Sequence, residues 1–184
     1  MEPGKIVYTG KSKSGKEIIF RYPTKDDLKS LWEYINTISK EKTFITFQGE
    51  EMTLEGEQRW LEGELQKIAD CKAVQLLAFS DNQLVGVSGI TMGERAVKHV
   101  GVFGITIAKD FRNDSIGTLL MNNVLKEAKK NLRDLKIVAL GVFGNNPVAQ
   151  KLYKKMGFIE YGNLPKGVMY RGTLVNHLAM YQEI

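Results

Sequence analysis

The stretch FRNDSIGTLL, residues 111–120, follows an apolar run and opens a helical pattern. A helix N-terminus offers unpaired N–H groups and a partial positive charge, which together suit a phosphate. Ser115, Ile116, Gly117 and Thr118 stand at that end. Gly117 admits close approach of an oxygen, the Ser115 and Thr118 hydroxyls can donate, and Arg112 adds a cation. A P-loop is excluded, because it needs Gly-Lys-Ser/Thr where this chain has Gly117-Thr118-Leu119. A dinucleotide-binding loop is disfavoured: it needs three spaced glycines and an acid after the next strand, where LGVFGNN has none. Taken alone, the stretch also reads as a plain turn with Asp114 or Ser115 as helix cap.

A second stretch, NNPVAQKLYKKMGF at 145–158, reads residue by residue as a short helix. Asn146 is its N-cap, Pro147 its first residue, Leu152 and Tyr153 its core side, and Gly157 its terminator. Other reactive residue types are sparse. Cys71 is the only cysteine, so no intramolecular disulfide forms, and no neighbouring His or Asn marks it as a nucleophile. His99 and His177 are the only histidines, and without CxxC or HExxH no metal site is expected. The net charge of +5 favours an acidic ligand such as a nucleotide, CoA or nucleic acid. The lysines are scattered over helix faces, however, and lack the interleaved aromatics of single-strand binders, so nucleic acid is not favoured.

The elements that must position these residues follow from periodicity. Residues 5–10 and 17–22 read as a hairpin around KSKSG. Thr24 and Asp27 have capping-box spacing before a helix with Leu28, Leu31, Trp32, Ile35 and Ile38 on one stripe. Thr53 caps a second helix carrying Leu54, Trp60, Leu61, Leu65 and Ile68. AVQLLAFS and QLVGVSGITM flank Asp81-Asn82, a hairpin turn, and VGVFGITIA at 100–108 is a further strand. A helix from about Ser115 to Arg133 leads to KIVALGVF, an apolar strand of the kind covered on both faces. The short helix at 147 and two last strands complete the order ββ-α-α-β-β-β-α-β-α-β-β. A strand-helix-strand crossover after antiparallel strands implies a mixed sheet with helices on both faces, in one domain over 1–184. No apolar stretch of membrane-spanning length and no apolar leader segment occurs, so the expected location is cytoplasmic.

Together, the two stretches resemble the GNAT superfamily of N-acyltransferases. Its pattern is Arg/Gln-x-x-Gly-x-Gly/Ala before a helix, then Asn-x-x-Ala-x-x-Leu-Tyr-x-x-x-Gly-Phe after the next strand. Here these read Arg112 to Gly117, with Ser115 at the first glycine, and Asn146, Ala149, Leu152, Tyr153, Gly157 and Phe158. The resemblance implies an α/β (α+β) fold with a mixed, mostly antiparallel sheet and a splayed parallel strand pair. It also implies acetyl transfer from acetyl-CoA to a primary amine, with no metal. Backbone groups of Ile105, Thr106 and Ile107 would bind the pantetheine arm. Arg112, Asn113, Asp114, Ser115, Ile116, Gly117 and Thr118 would hold the pyrophosphate, Asn146 would contact the cosubstrate, and Ala149 would leave it room.

Tyr153 takes the place of the family's general acid, which protonates the departing thiolate. Members that use a carboxylate base place it where this chain has Gly101; His99 on the same strand and Glu94 are the candidates here, beside a water relay. Glu50, Glu51 and Glu55 would attract a cationic amine. The tail Gly172-x-x-x-Asn176-x-x-x-Met180 is similar to branches acting on ribosomal protein N-termini, polyamines or small amines, with Asn for their Asp. The acceptor is thus expected to be a small amine or a peptide N-terminus, and apolar residues on the last strands suit a homodimer. The competing expectation is a non-catalytic CoA-binding or RNA-contacting module. Ser115 is expected to keep ordinary φ/ψ, and Asp114 to point away from the phosphate.

Overall fold

A computed structural model describes residues 1–184. The chain runs through β1 (Ile6–Lys11), β2 (Glu17–Arg21), α1 (Leu28–Lys40), α2 (Leu54–Ala69), β3 (Ala73–Ser80), β4 (Gln83–Met92) and β5 (Val100–Ile107). It continues through α3 (Ile116–Asn131), β6 (Ile137–Phe143), α4 (Pro147–Lys155), β7 (Ile159–Tyr170) and β8 (Thr173–Glu183). This is the element order that periodicity predicts. Eight strands form one sheet in the order β1-β2-β3-β4-β5-β6-β8-β7. Only β5 and β6 pair in parallel, with α3 as the crossover between them.

Strand alternation sorts the core onto two faces. Leu76 and Ala78 of β3 join a large cluster with Leu120, Met121 and Val124 of α3, whereas Leu77 between them joins Leu31 and Ile38 of α1 and Leu61 of α2. Local sequence starts the helices on the second face. The Asp27 carboxylate accepts the Thr24 N–H at 2.7 Å and is held by Arg21 at 2.5 and 2.8 Å. Burial works against its ionisation, but those hydrogen bonds prevail and hold the carboxyl below the usual range. Thr53 accepts the Gly56 N–H at 3.1 Å and opens α2.

β7 is longer than the expected GFIEYG segment and passes through Pro165. It can do so because β7 is an edge strand, where a missing N–H removes no ladder bond. Its register against β8 shifts between Leu164 and Val168, and Lys166 there has φ 56°.

The feature that matters most for the site is a short ladder. β5 and β6 pair only at Val100, Gly101 and Val102 with Ile137, Val138 and Ala139. Beyond that point β5 stays with β4 as far as Ile107, and β6 stays with β8 as far as Phe143. The two strands therefore part and leave a wedge between them.

Candidate active site

The wedge is lined along β5 by alternating backbone groups. Val100 and Ala108 bond toward β4, through the Gly93 N–H to the Val100 carbonyl and the Ala108 N–H to the Val85 carbonyl. In an antiparallel ladder that assigns even-numbered residues of β5 to β4 and turns the odd-numbered ones the other way. Ile105 and Ile107 thus present backbone groups to the wedge, while Thr106 spends its backbone on β4. Of the three expected residues, Ile105 and Ile107 therefore have backbone groups open to a strand-like ligand, and Thr106 does not. The Ile107 carbonyl already accepts Arg112 Nε at 2.8 Å, leaving its N–H available. The Thr106 side chain faces α1 and accepts the Tyr34 hydroxyl at 3.0 Å.

At the end of β5 the loop of residues 111–115 turns into α3. Ser115 has φ 64° and ψ −4°, a left-handed conformation, so the expectation of ordinary φ/ψ is wrong. Serine here adopts the geometry that glycine adopts most easily, at a conformational cost of order 1 kcal/mol. The first intrahelical bond runs from the Leu119 N–H to the Ser115 carbonyl, so the N–H groups of Ile116, Gly117 and Thr118 are left without backbone partners. Gly117 is not required by packing: an added Cβ would meet Ile107 at 3.6 Å and Ile105 at 4.0 Å, ordinary contacts. Its absent side chain keeps the surface open above those N–H groups.

Two charged residues of this loop are engaged elsewhere. Asp114 points away, as expected: its carboxylate accepts the Ser14 N–H and hydroxyl, both at 2.6 Å, and so ties the loop to the β1–β2 turn. Arg112 donates to Glu41 at the end of α1 at 2.6 Å as well as to Ile107. It is a strut with spare guanidinium donors rather than a free phosphate clamp.

Across the wedge, α4 supplies Asn146, Ala149 and Tyr153. The Asn146 side-chain oxygen caps the helix by accepting the Ala149 N–H at 3.2 Å. The Tyr153 ring is buried, edge-on to Phe103 at 6.2 Å and tilted against Phe158 at 6.1 Å. Its hydroxyl makes no hydrogen bond within the protein, and burial pushes the phenol up to about 12. A cavity of about 420 Å³ brings together Ile105–Ile107, Arg112, Asn113, Ser115, Gly117, Thr118, Asn146, Ala149 and Tyr153. Ile116 is fully buried beneath it and contributes only backbone, and Asp114 lies outside.

A second cavity, about 430 Å³, opens under α1 and α2 and shares Ile105 and Thr106 with the first. The two spaces meet at the free edge of β5.

Residues 32–158 match the model of the acetyltransferase (GNAT) family. The chain belongs to this family. Over 113 residues, 60% of this chain and 69% of the relative, it is 31% identical to the L-amino acid N-acetyltransferase AaaT of Escherichia coli (strain K12). A GNAT-family acetyltransferase from Streptococcus pneumoniae is 27% identical, with TM-score 0.83 over 91% of this chain and 100% of that one. A putative acetyltransferase from Salmonella typhimurium, solved with its cofactor acetyl-CoA, shares the fold at 13% identity, with TM-score 0.79 over 90% and 93% of the two chains.

Within this GNAT fold, both histidine and glutamate expectations need correction. His99 is exposed in the turn before β5 and lines neither cavity. Six residues of strand separate it from Ile105, roughly 20 Å. Glu94 sits at the same remote end. His99→Ala should therefore leave the pH–rate profile between about pH 6 and 9 unchanged. Glu50, Glu51 and Glu55 are all exposed and line neither cavity. The second cavity instead contains Glu57 and Glu64, both only 4% exposed. Their signal was legible: with Leu61 and Ile68 they mark positions i, i+4, i+7 and i+11, a buried stripe of α2. Asn176, in the tail pattern, is structural; its carbonyl accepts the Gly144 N–H at 2.7 Å and its side chain the Lys166 N–H at 3.3 Å.

Proposed function

We propose that residues 1–184 form one N-acetyltransferase domain that moves an acetyl group from acetyl-CoA to a primary amine by direct attack. The observation that carries this reading is the meeting of two cavities at one unpaired strand edge. On one side are an anion-ready helix end and a strand with free backbone groups. On the other is a space large enough for a small amine or a peptide terminus. Acetyl-CoA supplies the activated thioester.

In this reading the N–H groups of Ile116, Gly117 and Thr118 hold the pyrophosphate, with Ser115, Asn113 and the spare donors of Arg112 beside them. Ile105 and Ile107 pair with the pantetheine arm as a strand would, Asn146 reaches it with its amide NH₂, and Ala149 leaves it room. The free Ile105 N–H, on a residue that lines both cavities, would polarise the thioester carbonyl, while Ile107 pairs with the arm nearer the pyrophosphate. Tyr153 donates to the departing sulfur as general acid. Burial pushes the phenol up to about 12, so it is protonated when the thiolate forms. Tyr153 therefore offers a hydrogen bond that stabilises the thiolate. No acyl-enzyme is needed, and Cys71, the only thiol, is exposed at the end of α2 and outside both cavities. A lone unpaired cysteine also suits a cytoplasmic enzyme.

Initial rates measured while acetyl-CoA and amine are both varied should give intersecting double-reciprocal lines. Parallel lines, or an acetylated enzyme in its intact mass, would overturn direct attack. Asp114→Asn should weaken acetyl-CoA binding several-fold by calorimetry, since the clamp to Ser14 positions the loop. Tighter binding would mean that the charge mainly repels phosphate. The hydrogen bonds from Ser14 hold the Asp114 carboxyl below its usual range, so the clamp persists as pH falls through about 4 and fails only below that.

A further inference from the structure

Glu57 is buried and yet has neither an ion pair nor a hydrogen bond. Its neighbour one heptad on, Glu64, is neutralised by Lys67 at 2.6 Å, so Glu57 is the uncompensated charge of the second cavity. Burial raises its carboxyl above the ordinary range, the response of a charge lacking a partner. Gln75, 8% exposed, lines the same cavity, and its amide makes no hydrogen bond within the protein. It lies across Gly89, where an added Cβ would fall 2.0 Å from Oε1. The polar atoms of Glu57 and Gln75 face the open cavity, where water or the polar end of a ligand can complete them.

The position of Glu57 indicates what it completes. α2 packs on β3, while the cavities meet on β5. β3 and β5 are separated by β4, two strand spacings or roughly 10 Å. The attacking nitrogen must be neutral and must lie at the β5 edge, so a carboxylate on the far wall matches a different part of the acceptor. The same cavity is also lined by Trp60, Val87 and Val102, apolar surface that suits a hydrocarbon spacer.

We propose that Glu57 and Gln75 select the acceptor: a small amine with a second cationic group a few carbons away, and no carboxylate at that position. A diamine fits this description. An acceptor with an anionic far end is repelled, because its carboxylate would be buried against another one. This assignment deepens the acetyltransferase reading, but it is tested by binding alone, so it can fail while transfer stands, and the reverse.

The probes are three amines of matched length: pentane-1,5-diamine, hexylamine and 6-aminohexanoate. They differ only in a far end that is cationic, neutral or anionic. Calorimetry on the full chain with CoA present should rank them in that order, with about tenfold between the first two. In Glu57→Gln the first two should come within about twofold, and Glu57→Lys should reverse the order in favour of 6-aminohexanoate. Glu55→Gln, an exposed neighbour on the same helix, should change nothing. Equal affinity of the wild-type protein for the diamine and 6-aminohexanoate would overturn the proposal without any variant. So would a diamine preference that survives Glu57→Gln.

Discussion

Tyr153→Phe is expected to lower kcat about 100- to 1,000-fold while changing the KM for acetyl-CoA by no more than about twofold. The substitution removes one oxygen and keeps the ring that packs against Phe103 and Phe158. That oxygen has no partner within the protein, so its loss strands no buried group, and thermal stability should not fall. Such a pattern would mark an interaction made mainly at the transition state, when negative charge appears on sulfur. A phenol raised by burial to about 12 stays protonated throughout the working range, so Tyr153 itself should add no limb to the pH–rate profile below about pH 10. An unchanged kcat in Tyr153→Phe would reduce the residue to a core aromatic.

Gly117→Glu should separate folding from binding. A glutamate in the first turn of α3 interacts favourably with the helix dipole and replaces the poorest ordinary helix former, so stability should hold or rise. The added Cβ has room beside Ile105 and Ile107. The same carboxylate, however, enters the space where the pyrophosphate would sit and competes for the N–H groups of Ile116 and Thr118. Acetyl-CoA affinity by calorimetry should fall about 100-fold or more, with no loss in melting temperature. A stable variant that binds acetyl-CoA as well as the parent would place the pyrophosphate elsewhere.

How much of this was legible in the sequence depends on the range over which each residue acts. Element order was readable because the stripes of α1 and α3 and the alternation of β3 to β5 are local patterns. The loop at 111–118 and Tyr153 stand out in the sequence because two motifs flank one strand at fixed spacing. Nothing in the type of Ser115 reveals its left-handed φ of 64°. Asp114 could be expected to turn away, but its partner Ser14 lies 100 residues earlier and could not be foreseen. Thr106 was grouped with Ile105 and Ile107 because ladder parity is fixed by pairing with β4, which a linear reading lacks. Strand numbering puts His99 two residues from Gly101, but the strand carries it to the end of β5 remote from both cavities. Glu57 and Glu64 are legible as buried positions on the α2 stripe, but the spacing does not tell that Lys67 pairs with Glu64 and leaves Glu57 without a partner.

The most direct test counts both products at once. The protein, acetyl-CoA and pentane-1,5-diamine are mixed, and free CoA thiol and N-acetylated amine are quantified in the same samples, with hexylamine as a second acceptor. The account predicts that thiol and amide appear in equal amounts, only when enzyme and amine are both present, and far more slowly with Tyr153→Phe. Tight acetyl-CoA binding with no amide formed on either amine, or thiol released at the same rate without an amine, would contradict it.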